Sequence, residues 1–83
     1  MSKPIGWNRP LSYPLTLQDG DTIETLHQAA WLMTERLPPA RQAKPAWQHA
    51  AALLMVAHKS GKKSDIADAT AQLQRALTAE GWM

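Results

Sequence analysis

Residues 45–60 read PAWQHAAALLMVAHKS, and the eight residues from Ala50 to Ala57, AAALLMVA, are all apolar. Alanine, leucine and methionine are strong helix formers, and Pro45 suits a first helical turn, where its missing N–H costs nothing. The stretch therefore predicts a helix over 45–60. Trp47, Ala51, Leu54 and His58 fall at i, i+4, i+7 and i+11 and define one stripe. Leu53 and Val56 lie on the other side, so a second layer is expected to cover them. On this reading the helix is the centre of the domain, clasped by the segments before and after it. Gly61 stops it, and Lys59 sits favourably at the negative end of its dipole.

Towards the C-terminus, Lys62-Lys63 form a turn and Ser64 is the expected N-cap of a last helix. Asp65 falls in its first turn and Asp68 close behind. Ile66, Ala69, Leu73, Ala76 and Leu77 make its inner face. Gly81 closes it and leaves Trp82-Met83 as an apolar tail.

Towards the N-terminus, residues 39–44 read as a polar linker, and Pro38-Pro39 end a preceding helix. That helix has Leu26, Ala29, Ala30, Met33 and Leu37 at helical spacing, with Trp31 beside Leu32 widening the stripe. Its start has two solutions. Thr25 with Gln28 makes a capping box; Asp21 with Glu24 makes a rival one that would absorb any strand there.

Residues 10–18, PLSYPLTLQ, alternate Leu11, Tyr13, Leu15 and Leu17 with Ser12, Pro14, Thr16 and Gln18. That period of two is a strand with one buried face, and Pro14, lacking a donor, belongs at an edge. Asp19-Gly20 then signals a hairpin. A two-residue loop would put Ile23 on the polar face. A three-residue loop over 18–20, with Gly20 left-handed, pairs Leu15 with Ile23 and keeps both inside. The return strand is then only 21–24, and two such short strands need helices against them. Residues 1–9 read as a loose arm with Trp7 as its anchor. The expected fold class is α+β: one domain over 1–83, with a short N-terminal hairpin packed on three helices.

Composition narrows the function. Without cysteine there is no disulfide, thiolate metal site or cysteine nucleophile. No signal-peptide core is visible, and the longest apolar run is far short of the ~20 residues a bilayer span needs. A cytoplasmic, soluble protein is expected. Nine basic residues face seven acidic ones, a net charge of +2, and they are spread along the chain except at Lys59, Lys62 and Lys63.

No chemistry-bearing constellation emerges. His49 and His58 are nine apart, roughly opposite on a helix, and His27 lies on another element. No pair has the i, i+4 spacing of a helical metal site. The acids at 19, 21, 65 and 68 have turn and helix-start reasons to be where they are. The four glycines are isolated, so no phosphate loop or nucleophile elbow exists. No catalysis, no cofactor and no metal are expected.

What remains is apolar excess: four Trp and four Met in 83 residues. Such residues favour interfaces, and so small a fold cannot bury all of them at no cost. The leading expectation is a protein-interaction or regulatory domain that self-associates or binds a protein partner, with Trp7, Tyr13, Trp31 and Trp82 as contacts. The alternative is a weak nucleic-acid binder of helix-turn-helix type, using Lys59, Lys62, Lys63 and Arg75. Ala57 and Gly61 have that motif's small-residue spacing, but the following helix opens on acids.

Taken in order, Trp7, Pro10-Leu11, TIETLHQAAWLMTERLP, the alanine-rich helix ending AHKSG and the closing LQRALTAEGW form a pattern. Over Trp7 to Trp82 it resembles a family of small bacterial proteins, domain-of-unknown-function family 982. The resemblance implies a small α+β domain, a hairpin followed by helices. It carries no activity and no site residues.

Overall fold

The computed structural model describes residues 9–83. Strand β1 (Pro10–Thr16) and strand β2 (Thr22–Thr25) form an antiparallel hairpin. Helix α1 (Leu26–Trp31) runs on into a π-helical turn (Leu32–Arg36). The single turn α2 (Pro39–Gln42), helix α3 (Pro45–Ser60) and helix α4 (Lys63–Ala79) complete an α+β fold. Trp7 and most of the arm lie outside the described residues. Arg9, expected within that arm, already belongs to the folded part, because its carbonyl accepts from Leu26 N at 3.0 Å.

The hairpin has the three-residue loop. Leu15 pairs with Ile23 and Thr16 with Thr22, and Gly20 takes a φ of +95°. Asp19 Oδ1 accepts from Asp21 N at 3.0 Å and fixes the turn. With that backbone committed to pairing, the Asp21–Glu24 box does not form. Thr25 instead caps α1, accepting from Gln28 N at 3.1 Å, while Gln28 Oε1 accepts from Glu24 N at 2.6 Å.

The alternation in β1 fails at one place. The register shifts between Pro10 and Leu15, so Leu11 and Leu15 are buried but Tyr13 is turned out. Pro14, which cannot donate to the ladder, falls within that irregular span, and Tyr13 reaches over α4 to Gln74.

The first helix departs from its expected stripe. The π turn, closed by Leu37 N to Leu32 O at 3.2 Å, adds a residue to the repeat. Leu32 and Leu37 thus both face inward, Met33 is only half-buried, and Trp31 is carried outward rather than widening the inner face. The linker after it contains α2, which Pro38 and Pro39 start and whose Gln42 Nε2 donates to Leu37 O at 2.8 Å.

Helix α3 spans the expected residues and ends at Gly61, which takes a φ of +65° and donates to Ala57 O at 2.9 Å. The expectation that a second layer covers both Leu53 and Val56 holds for Leu53, which is half-buried against the core, and fails at Val56. Trp47, Ala50, Leu54 and Ala57 are buried, Ala51 and His58 half-buried, and Val56 remains 48% exposed. The helix with the larger buried face is α4. Ile66, Ala69, Leu73, Ala76 and Leu77 are all buried as the spacing requires, together with Thr70 and Gln72. Thr70 Oγ1 donates to Ile66 O at 2.7 Å and accepts from Ser12 N at 3.1 Å, so one hydroxyl pins the hairpin to the helix.

Ser64 does not cap α4. The helix starts at Lys63 with Lys62 as N-cap, and Ser60 holds the turn, accepting from Lys62 N at 3.1 Å and donating to Asp65 Oδ2 at 2.5 Å. The far end closes in a Schellman arrangement: Trp82 N donates to Leu77 O at 3.0 Å and Gly81 N to Thr78 O at 3.0 Å.

Candidate interaction surface

The outer side of α3 is unusually apolar for an exposed helix face. From Pro45 to His58 the helix has no Asp, Glu, Lys or Arg, although half of it faces solvent. Met55 and Val56 are exposed, Ala52 lies between them and the N-terminal half, and Leu53 is half-buried. Beside this face, an apolar groove of about 420 Å³ runs between the first helix and α3, over Ala30, Met33, Ala51, Leu54 and Met55. Methionines at its rim can adapt to different occupants.

The aromatic residues expected to make contacts do not form one patch. Tyr13 lies over α4, its hydroxyl donating to Gln74 Oε1 at 2.7 Å. Trp31, 53% exposed, flanks a hollow with His27, Gln28, Ile23 and Arg36. Trp82 is half-buried. Its ring centroid lies 6.4 Å from that of Trp47, and the Arg36 guanidinium stands 5.6 Å above it. Trp82 therefore has a structural role in anchoring the C-terminal segment, helped by Gln18 N, which donates to its carbonyl at 2.8 Å. Trp7 lies outside the described residues.

Two charged clasps hold this end of the fold. Arg36 pairs with Asp19 at 2.8 Å and with Asp21 at 3.1 Å, tying the first helix to the hairpin turn. The Asp21 N–H and the Arg36 guanidinium hold the Asp19 carboxyl below its ordinary range. In the second clasp Glu80, its side chain only 2% exposed, accepts from Arg41, from Trp47 Nε1 at 3.2 Å and from Lys44 Nζ at 3.3 Å. The Arg41 guanidinium is the main cause of its lowered pKa, which burial opposes. A covered carboxylate with three donors is fully occupied, so it is a fastening between α4 and the α2–α3 corner.

The lysines of the α3–α4 turn, Lys59, Lys62 and Lys63, are exposed and share one end of the molecule. Arg75 is not with them; it lies along α4 in a shallow hollow with His49, Leu53 and Asp68. Arg9 is. Its guanidinium is packed against Gly61, where a Cβ would come within 2.6 Å of Arg9 Cζ. His27 and His49 are exposed on different helices, and no group of three or more His, Asp or Glu among the described residues could hold a metal ion. Among them, too, no helix is long and apolar enough to cross a membrane.

Sequence reasoning missed the open side of α3, the Arg9 contact and the Glu80 clasp. The first was legible in principle: eight successive apolar residues cover the whole helix circumference, far more than one buried stripe requires. The other two join residues from distant parts of the chain, and no local spacing marks them.

Fold and surface together define a small α+β domain whose helix α3 carries no Asp, Glu, Lys or Arg from Pro45 to His58. No family model matches the chain, and neither a curated protein nor a solved structure matches it.

Proposed function

We propose that this chain is a non-enzymatic protein-interaction domain of the cytoplasm, and that the occupant of its α3 face is a second copy of the chain. The observation that carries the reading is the exposure of Met55 and Val56 on a helix with no Asp, Glu, Lys or Arg between Lys44 and Lys59. An apolar face packed against its own copy by a twofold axis gains burial and brings no Asp, Glu, Lys or Arg of α3 against its own kind. Ala52, small and exposed, lets two helix backbones approach closely. The adjoining groove between the first helix and α3 extends the same apolar surface. Kinship with domain-of-unknown-function family 982 belongs to the same proposal and assigns no residue a role.

Sedimentation equilibrium over a concentration series tests it. The expected result is a monomer–dimer equilibrium that Val56→Glu shifts to monomer while its circular dichroism stays that of the parent. A clean monomer at every concentration overturns self-association, and binding of a different protein at the same face would then identify the occupant as foreign.

A further inference from the structure

A separate observation concerns how the charges are sorted. Arg36, Arg41 and Lys44 are all paired, and they occupy Asp19, Asp21 and Glu80. Arg9, Lys59, Lys62 and Lys63 form no ion pair among the described residues, and all four surround the turn at Gly61. The acids nearest in sequence are Asp65, which accepts from Ser60 Oγ, and Asp68, which lines a hollow with His49 and Arg75. A shallow groove of about 420 Å³ between the start of β1 and the start of α4 opens there, lined by Arg9, Pro10, Gly61 and Lys63 among others.

We propose that this pole, Arg9 with Lys59, Lys62 and Lys63, docks the phosphate backbone of a nucleic acid without reading its sequence. The four cations are arranged around a turn rather than converging on one point. A single phosphate could engage only part of the set. A duplex, with one negative charge per ~1.7 Å of axis, meets several cations at once. Arg9 contributes a planar guanidinium lying beside Gly61, whose forked donors suit phosphate oxygens better than a lysine does. No helix is inserted in a groove in this arrangement, because α4, though it starts at Lys63, has Asp65 in its first turn and Asp68 one turn on. The contacts are to backbone only, and base specificity is absent.

The test is fluorescence anisotropy of a labelled short DNA duplex titrated with the full chain across a salt series, with a labelled poly-glutamate peptide in parallel. Four phosphate contacts give an affinity that falls on the order of a hundredfold between about 50 and 200 mM salt. The double variant Lys62→Ala/Lys63→Ala is expected to flatten the logarithmic salt slope by about two. Both lysines are exposed, and an unchanged melting curve verifies that the variant is folded. Arg75→Ala, which removes an exposed cation from outside the pole, is expected to leave the slope as it was. No duplex binding at low salt overturns the proposal. So does an equal loss in Arg75→Ala, and so does poly-glutamate binding as tight as the duplex, which would make the partner an acidic protein.

Discussion

Gly61 sits where two constraints meet. Its φ of +65° is a left-handed conformation that a side chain strains, and the Arg9 guanidinium occupies the space a Cβ would need, 2.6 Å from Cζ. Gly20 shares the first constraint at φ +95° but has nothing within 4 Å. Gly61→Ala is therefore expected to cost about 1–3 kcal/mol, and Gly20→Ala less, measured as the shift in urea midpoint. Equal costs would mean that Arg9 simply swings away. At the same scale, the Glu80 carboxylate shows what no spacing reveals: its three donors come from α2, the residue before α3, and α3 itself.

At the scale of elements, α3 and α4 divide the work unequally. In α4 the inner-face residues and two polar ones, Thr70 and Gln72, are all buried, and Thr70 fixes the hairpin through Ser12 N. In α3 one stripe is buried and the opposite side is open. Leu54→Ala is expected to cost about 2–5 kcal/mol, whereas Val56→Ala should stay within about 0.5 kcal/mol in the monomer. Urea unfolding at low protein concentration checks both, and a large monomer cost for Val56→Ala would place it in the core. The bounds of α3 and its Gly61 stop were readable because a first-turn proline and left-handed termination are local physics, whereas the start of α4, expected at a Ser64 cap, lies at Lys63. The side of α3 left open was not readable, because an all-apolar helix carries no polar face to point outward. The π turn was equally hidden: Leu26, Ala29, Met33 and Leu37 satisfy a 3.6 period on paper, and only packing against the hairpin and α3 selects Leu32 instead.

For the whole molecule, the two clasps set the response to acid. Both Asp19 and Glu80 are held below their ordinary ranges in the fold. A carboxylate with a depressed pKa contributes stability that is complete above its unfolded pKa and is lost as pH falls through the folded one. Stability is thus expected to be level through neutral pH and to fall below about pH 4, where the unfolded carboxyls take up protons that the folded clasps still resist. Thermal melts from neutral to acid pH follow this. Glu80→Gln, which cannot ionise, is expected to melt lower at neutral pH and to show a shallower acid decline; an unchanged acid limb would remove Glu80 from the account.

The sequence by itself determined the elements: the three-residue hairpin loop, the helix at 45–60, its glycine stop and the inner face of the last helix. These follow from nearest-neighbour rules of periodicity, capping and turn geometry, which act within a few residues. Only the tertiary structure decided which helix buries the larger face, that Tyr13 and Trp31 turn outward while Trp82 is tied to Trp47 and Arg36, and that Arg9 joins the lysine turn. Each of those outcomes depends on competition among apolar surfaces and charges far apart in the chain, and that competition is resolved only when they are packed together.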